Sequence, residues 1–88
     1  MSWKVRFDES CKKELRKLDK EAQELIINYL INKILKVDHP KQLGKQLRYG
    51  LKEYWRYRID KYRIICKHQE ETLTILIVKI GKRDNVYD

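Results

Sequence analysis

Arginines recur at alternate positions in the run Tyr54-Trp55-Arg56-Tyr57-Arg58-Ile59-Asp60-Lys61-Tyr62-Arg63, a spacing that sets guanidinium groups side by side if the run is a hairpin. With Asp60-Lys61 as a two-residue turn, Ile59 pairs with Tyr62, Arg58 with Arg63, Tyr57 with Ile64 and Arg56 with Ile65. Strand residues alternate faces, so Arg56, Arg58 and Arg63 share one surface, and Trp55, Tyr57, Ile59, Tyr62, Ile64 and Cys66 share the other. Like charges opposed across a ladder are unfavourable by roughly 0.2–1 kcal/mol per pair, and keeping Arg58 against Arg63 points to an anion between them. Guanidinium groups bind phosphate oxygens bidentately and stay charged at any working pH. The chemistry they suit is phosphodiester cleavage. In RNA, the 2′-hydroxyl attacks its own 3′-phosphate, charge builds on the phosphorane oxygens, and preorganised cations stabilise that charge.

Lys82 and Arg83, with the phenols of Tyr54 and Tyr87, can join this group. If His68 pairs with Thr72 in a following strand, Arg63 falls opposite Ile77, and odd-numbered residues of that last strand, continuing to Arg83, lie on the arginine face. Tyr87, or a lysine or arginine crowded by other cations, can shuttle the proton. The plain alternative is a solvated strand face that happens to be basic.

Other chemistries find little support. His39 and His68 have no ligand-spaced partner, so both are expected to be ordinary surface or rim residues, with no metal and no cofactor implied. No glycine-rich loop follows a strand, and no nucleophile sits in an elbow motif. Cys11 and Cys66, far apart in sequence, are expected to be small buried apolar residues.

The elements that must position the arginines follow from periodicity. Trp3, Val5 and Phe7 alternate with Lys4 and Arg6 in a short strand. Asp8 caps a helix with Cys11, Leu15 and Leu18 on its packed face and Lys12, Lys13, Arg16 and Lys17 in solvent. Asp19 caps a second, longer helix running over about five turns to Val37, stopped by Asp38-His39-Pro40. Residues 41–53 read as an irregular, flexible basic connection anchored by Leu43 and Leu47. Strands at 54–59, 62–68 and 72–80 form an antiparallel meander, the last apolar on both faces. The expected fold is α+β, two N-terminal helices packed on one face of an antiparallel sheet of about four strands, as a single domain over 1–88.

The chain of 88 residues carries a net charge of +8. Residues 1–40 hold 9 Lys/Arg against 7 Asp/Glu, while 41–88 hold 12 against 6, so the basic excess lies in the half that carries the arginines. Lys41, Lys45, Arg48 and Lys52, with the cations of the first helix, would attract a polyanion diffusely. No apolar run approaches a membrane span or a secretory leader, and a cytoplasmic location is expected.

Three runs resemble the RelE-type toxins of the RelE/ParE superfamily: Leu43-Gly44-Lys45-Gln46-Leu47, Tyr54 to Ile65 with its Tyr62-Arg63-Ile64 step, and Ile80-Gly81-Lys82-Arg83-Asp84-Asn85-Val86-Tyr87. The resemblance implies a microbial-ribonuclease-like fold and a toxin of a type II toxin–antitoxin pair. It implies an endoribonuclease that enters the ribosomal A site and cuts messenger RNA there. By position, Arg63 matches the phosphate-stabilising arginine, Arg83 the arginine near the leaving group, and Tyr87 the C-terminal tyrosine that orients or protonates the cut nucleotide. Arg56 and Tyr54 stand where some members carry lysines, which leaves the general base open. Partners implied are a RelB-like antitoxin, the ribosome and its messenger, with DNA reached only through the antitoxin complex and no membrane. The superfamily also holds ParE-type inhibitors of DNA gyrase. A noncatalytic module acting with its antitoxin as a repressor is a third reading.

Overall fold

Alternating Trp3, Val5 and Phe7 open the fold as strand β1 (Lys4–Phe7), and the computed structural model describes residues 2–82. The Asp8 carboxylate accepts from the Ser10 N–H and hydroxyl and starts helix α1 (Glu9–Lys17). Asp19 accepts from the Ala22 N–H at 2.8 Å and starts α2 (Lys20–Asn32). Both caps satisfy N–H groups that have no partner within the helix.

Helix α2 is shorter than the apolar periodicity predicts. The backbone departs from regular helix at Lys33, and a tight 3₁₀ turn, Ile34–Lys36, replaces the last turns. That tightening brings Ile34 to zero exposure in the core. A second 3₁₀ turn, Pro40–Leu43, leads into a two-residue strand, β2 (Lys45–Gln46). The sheet is completed by β3 (Trp55–Ile59), β4 (Tyr62–Gln69) and β5 (Thr74–Lys82).

The five strands lie in the order β1-β5-β4-β3-β2. Two features depart from the expected antiparallel sheet of about four strands: β2 adds an edge, and β1 pairs with β5 in parallel, Val5 beside Ile75 and Phe7 beside Ile77. The parallel pair is possible because both helices lie between these strands in sequence and supply the crossover.

The helices cover one face. Cys11, Ala22, Ile26 and Leu30 pack against Tyr57, Ile59, Tyr62, Ile64, Cys66, Ile75, Ile77 and Ile80. Cys11 and Cys66 are free thiols inside this core, as their apolar neighbours predict.

The β4–β5 register differs from the expected one. Gln69 rather than His68 closes the connection, opposite Thr74, and Gly81 rather than Ile77 faces Arg63. Core burial explains the shift. Ile75, Ile77 and Ile80 are all buried on the helix side, which strict alternation cannot achieve, and a bulge between Ile65 and Cys66 in the ladder resolves the conflict. Odd-numbered residues of β5 therefore share the arginine face only beyond the bulge, at Lys79 and Gly81.

Candidate nucleic-acid interface

The β3–β4 hairpin has the register its sequence predicts, from Ile59 opposite Tyr62 to Arg56 opposite Ile65. Asp60, a residue type that tolerates left-handed backbone, takes φ 53° in the turn. Arg56, Arg58 and Arg63 consequently stand on the face away from the helices. They are not equivalent. Arg58 is exposed, whereas Arg63 is only 5% exposed, with its Nη1 donating to the carbonyls of Tyr62 at 3.2 Å and Asp60 at 3.4 Å.

Lys45 lies opposite Arg56 through the β2–β3 ladder. The 41–53 segment, expected to be irregular, is a braced hairpin beyond that pair. The Leu47 N–H donates to Tyr54 O at 3.0 Å, Gln46 Nε2 to Lys52 O at 2.7 Å, and the Tyr54 N–H to Leu51 O at 2.9 Å. At the tip, the Leu51 N–H reaches Arg48 O at 3.3 Å around Tyr49 and Gly50, whose φ angles are 55° and 82°. Positive φ at both central residues is the requirement of a type I′ turn. Glycine meets it without strain, but a tyrosine there costs about 1–2 kcal/mol. Tyr49 is nevertheless 92% exposed.

This hairpin walls a cavity of about 310 Å³ lined by Lys45, Gln46, Leu47, Arg48, Tyr49 and Arg56. Among the described residues, three cations and no carboxylate face it. Arg63 is not among its lining residues, so Arg56 alone of the strand arginines opens into it. Beside it, Leu47, Leu51, Tyr54, Ile65, Val78 and Lys79 enclose an apolar cavity of about 240 Å³. The arginine face thus carries an apolar floor, with Leu47 and Ile65 both buried. Leu47 was legible as an anchor in the sequence; the burial of Ile65 on this side was not.

The remaining predicted residues are scattered. Tyr54 sits at the apolar cavity with the Lys67 ammonium 5.1 Å from its ring centre, and Lys67 pairs with Glu53 at 3.3 Å. Lys52 is exposed in the hairpin loop. Lys82 is paired with Tyr62, which puts it on the helix-side face rather than among the arginines. Lys41 also belongs elsewhere. It bonds Glu70 at 2.7 Å and lies 5.4 Å over the Trp55 ring at the helix-side rim. Arg83 and Tyr87 lie outside the described residues.

His68, expected to be an ordinary rim residue, is the centre of an aromatic cluster. Trp3, Trp55 and Tyr57 meet its ring edge-to-face at 5.6–5.9 Å. The Tyr57 hydroxyl donates to Pro40 O at 2.8 Å and lies 2.7 Å from His68 Nε2, so Nε2 carries the proton and donates to the phenol oxygen. Burial, with the Lys41 charge acting in the same direction, pushes the His68 pKa down to about 4, against the weaker pull of Glu70. The cluster holds the 3₁₀ turn at Pro40 against β3, and through it the start of β2. No sequence signal identified it, because its members come from three separate segments.

Among the described residues, no helix is long and apolar enough to cross a membrane, and no group of three or more His, Cys, Asp or Glu side chains could hold a metal.

Comparison with known proteins agrees with the fold. A family model described as the ParE toxin of type II toxin–antitoxin system, parDE, matches residues 5–87. Toxin RelG of Mycobacterium tuberculosis is 24% identical over 87 residues, 99% of this chain and 98% of RelG. The fold superposes on the crystal structure of the RelBE2 toxin–antitoxin complex from Mycobacterium tuberculosis with a TM-score of 0.84 at 23% identity, covering 94% of this chain and 100% of that one. The isolated E. coli RelE toxin gives a TM-score of 0.72 at 23% identity, over 91% of this chain and 83% of that one.

Proposed function

The chain belongs to the ParE toxin family of type II toxin–antitoxin systems, and from its arginine face and its likeness to RelG and RelE toxins we propose that it is a ribosome-dependent endoribonuclease that arrests translation by cutting messenger RNA in the A site. The observation that carries this reading is the common face of Arg56, Arg58 and Arg63, with Arg56 opening into a cavity lined by two further cations.

In the proposed reaction the 2′-oxygen forms a bond to phosphorus as the bond to the 5′-oxygen breaks, giving a 2′,3′-cyclic phosphate and a 5′-hydroxyl. The proton of the 2′-hydroxyl leaves to a base, and the departing 5′-oxygen takes one up. Arg63 stabilises the phosphorane charge. Its Nη1 contacts with the Asp60 and Tyr62 carbonyls hold the guanidinium before substrate arrives, which removes a reorganisation cost from the reaction. Arg56 binds the phosphate beside it, Arg83 the region of the leaving group, and Tyr87 orients or protonates the cut nucleotide. Lys45 and Arg48 bind RNA at the cavity they line with Arg56, and Tyr54, Arg58, Lys82, Lys41 and Lys52 supply attraction at larger distance. No metal or cofactor takes part. The partners are a RelB-like antitoxin, as in the complexes with similar folds, and the ribosome with its messenger. DNA is reached only through the antitoxin, membrane plays no part, and action on ribosomes makes the protein cytoplasmic.

Mapping messenger 5′ ends after brief induction tests the proposal. Cuts within A-site codons support it; growth arrest with intact messengers refutes it. The description of the matching family model favours one second reading, a ParE-like gyrase inhibitor. Inhibition of supercoiling by the purified protein, with messengers uncut, selects that reading instead.

A further inference from the structure

Tyr49 combines three properties that packing does not explain. It is 92% exposed, it adopts left-handed backbone that favours glycine, and it stands at the mouth of the cavity lined by Lys45, Arg48 and Arg56. A buried tyrosine in strained backbone could be explained by packing; an exposed one cannot. The hairpin that presents it is braced at its base, by the Gln46 side chain on Lys52 O and by Leu47 on Tyr54 O, so the ring is held out from a fixed base.

We propose that Tyr49 is a base-stacking platform for single-stranded RNA, receiving the nucleobase next to the phosphate held by Lys45, Arg48 and Arg56. The inference rests on the ribonuclease reading and deepens it by assigning a nucleotide subsite. Cations bind the phosphate of any nucleotide but leave its base unsupported. An aromatic face at the rim supplies the missing contact, and every nucleobase has a π-face to offer it. The cavity volume of about 310 Å³ is at the lower end of the range for small-ligand sites. Strained backbone beside a charged cavity is the pattern of a binding residue rather than of a stabilising one.

The test uses a short single-stranded RNA containing 2-aminopurine, titrated into the full-length protein and its Tyr49→Phe, Tyr49→Ala and Tyr49→Gly variants. Wild type and Tyr49→Phe quench the fluorophore. Tyr49→Ala and Tyr49→Gly do not, and bind about 5- to 150-fold more weakly, the range of one base–aromatic stack. Tyr49→Gly melts at a higher temperature than wild type because glycine relieves the left-handed backbone, which separates impaired binding from impaired folding. An oligonucleotide abasic at the quenched position binds all four proteins alike. Equal affinity and quenching by wild type and Tyr49→Ala overturns the proposal. So does an equal loss of affinity for polyglutamate in Tyr49→Ala, which would assign the residue to an acidic protein surface. Because RNA binding is read without cleavage, stacking that persists in a protein unable to cut messengers would reject the ribonuclease reading and leave the subsite standing.

Discussion

Arg58 and Arg63 face each other directly across the β3–β4 ladder, yet one is in solvent and the other is buried at 5% exposure against the carbonyls of Asp60 and Tyr62. Two guanidinium groups at the same height on one sheet face have been given different environments. The exposed member is free to sample rotamers; the buried one is fixed, and fixed dipoles and charges are what stabilise a transition state.

The pair therefore predicts an asymmetry. Arg63→Ala should lower messenger cleavage by about 100- to 1,000-fold, the usual effect of removing one preorganised electrostatic interaction. Arg58→Ala should change it by less than about tenfold, as expected for an exposed side chain. Cleavage in a purified translation mixture, with circular dichroism to check folding, measures both. Equal losses in the two variants would remove the distinction drawn from burial.

Gly44 is a second point where backbone and site meet. A Cβ there would lie 2.9 Å from the Arg56 carbonyl oxygen and 3.0 Å from Cε1 of Tyr57, a fully buried ring. Neither neighbour can move aside easily, so Gly44→Ala should destabilise the protein by about 1–3 kcal/mol. It should also weaken RNA binding, because β2 must shift and Lys45 is paired with Arg56 through that strand. Urea denaturation and an RNA titration on the same variant test the coupling.

How much of this was legible in the sequence depended on whether the signal was local. The hairpin register, the Asp8 and Asp19 caps and the apolar faces each follow from residues within one or two turns of chain, and the structure has them. The parallel β1–β5 pair, the β4–β5 bulge and the aromatic cluster at His68 join segments far apart in sequence, and nothing near Val5 or Val78 announces its partner. The cations divide the same way. Arg56, Arg58 and Arg63 fall together because one hairpin carries them, whereas Lys41 and Lys82 were grouped with them by charge alone and stand on the helix side.

That division predicts unequal salt effects. Replacing Lys45 or Arg48 by glutamine should reduce the slope of log affinity for single-stranded RNA against log salt by about 0.7 for each phosphate that is no longer neutralised. Lys41→Gln should change the slope less, because its ammonium is already paired with Glu70 at 2.7 Å. Titrations at several salt concentrations decide, and an equal effect at Lys41 and Lys45 would contradict the assignment of Lys41 to the rim.

Both thiols should be inert in the native protein. Burial pushes Cys66 up to about 12, and burial with the Asp8 and Glu14 charges pushes Cys11 up to about 12, so almost no thiolate exists at neutral pH. A thiol reagent at pH 8 should react slowly with the folded chain and modify two sulfurs at once in denaturant. Rapid labelling of either cysteine under native conditions would mean that the core opens there.

His68 should make the fold less stable in acid. Its pKa is about 4 in the folded protein against about 6.5 when unfolded, so between those values the unfolded chain binds more protons and folding stability falls as pH is lowered. The contribution is fully present above about pH 6.5 and is lost as the pH falls to about 4, a change of about 2–3 kcal/mol. Protonation is opposed because the ring is packed among Trp3, Trp55 and Tyr57, and its Nδ1 has no hydrogen-bond partner among the described residues. Lys41 adds to the opposition while Glu70 relieves part of it. Urea midpoints at pH 7, 5 and 4 should decline for the wild type and decline less for His68→Asn. The same decline in both proteins would place the acid sensitivity in the carboxylates instead. Because Tyr57 ties His68 to Pro40, the wild type should also lose the β2 hairpin first as the pH drops, read by faster amide exchange at Leu47 than at Ile64.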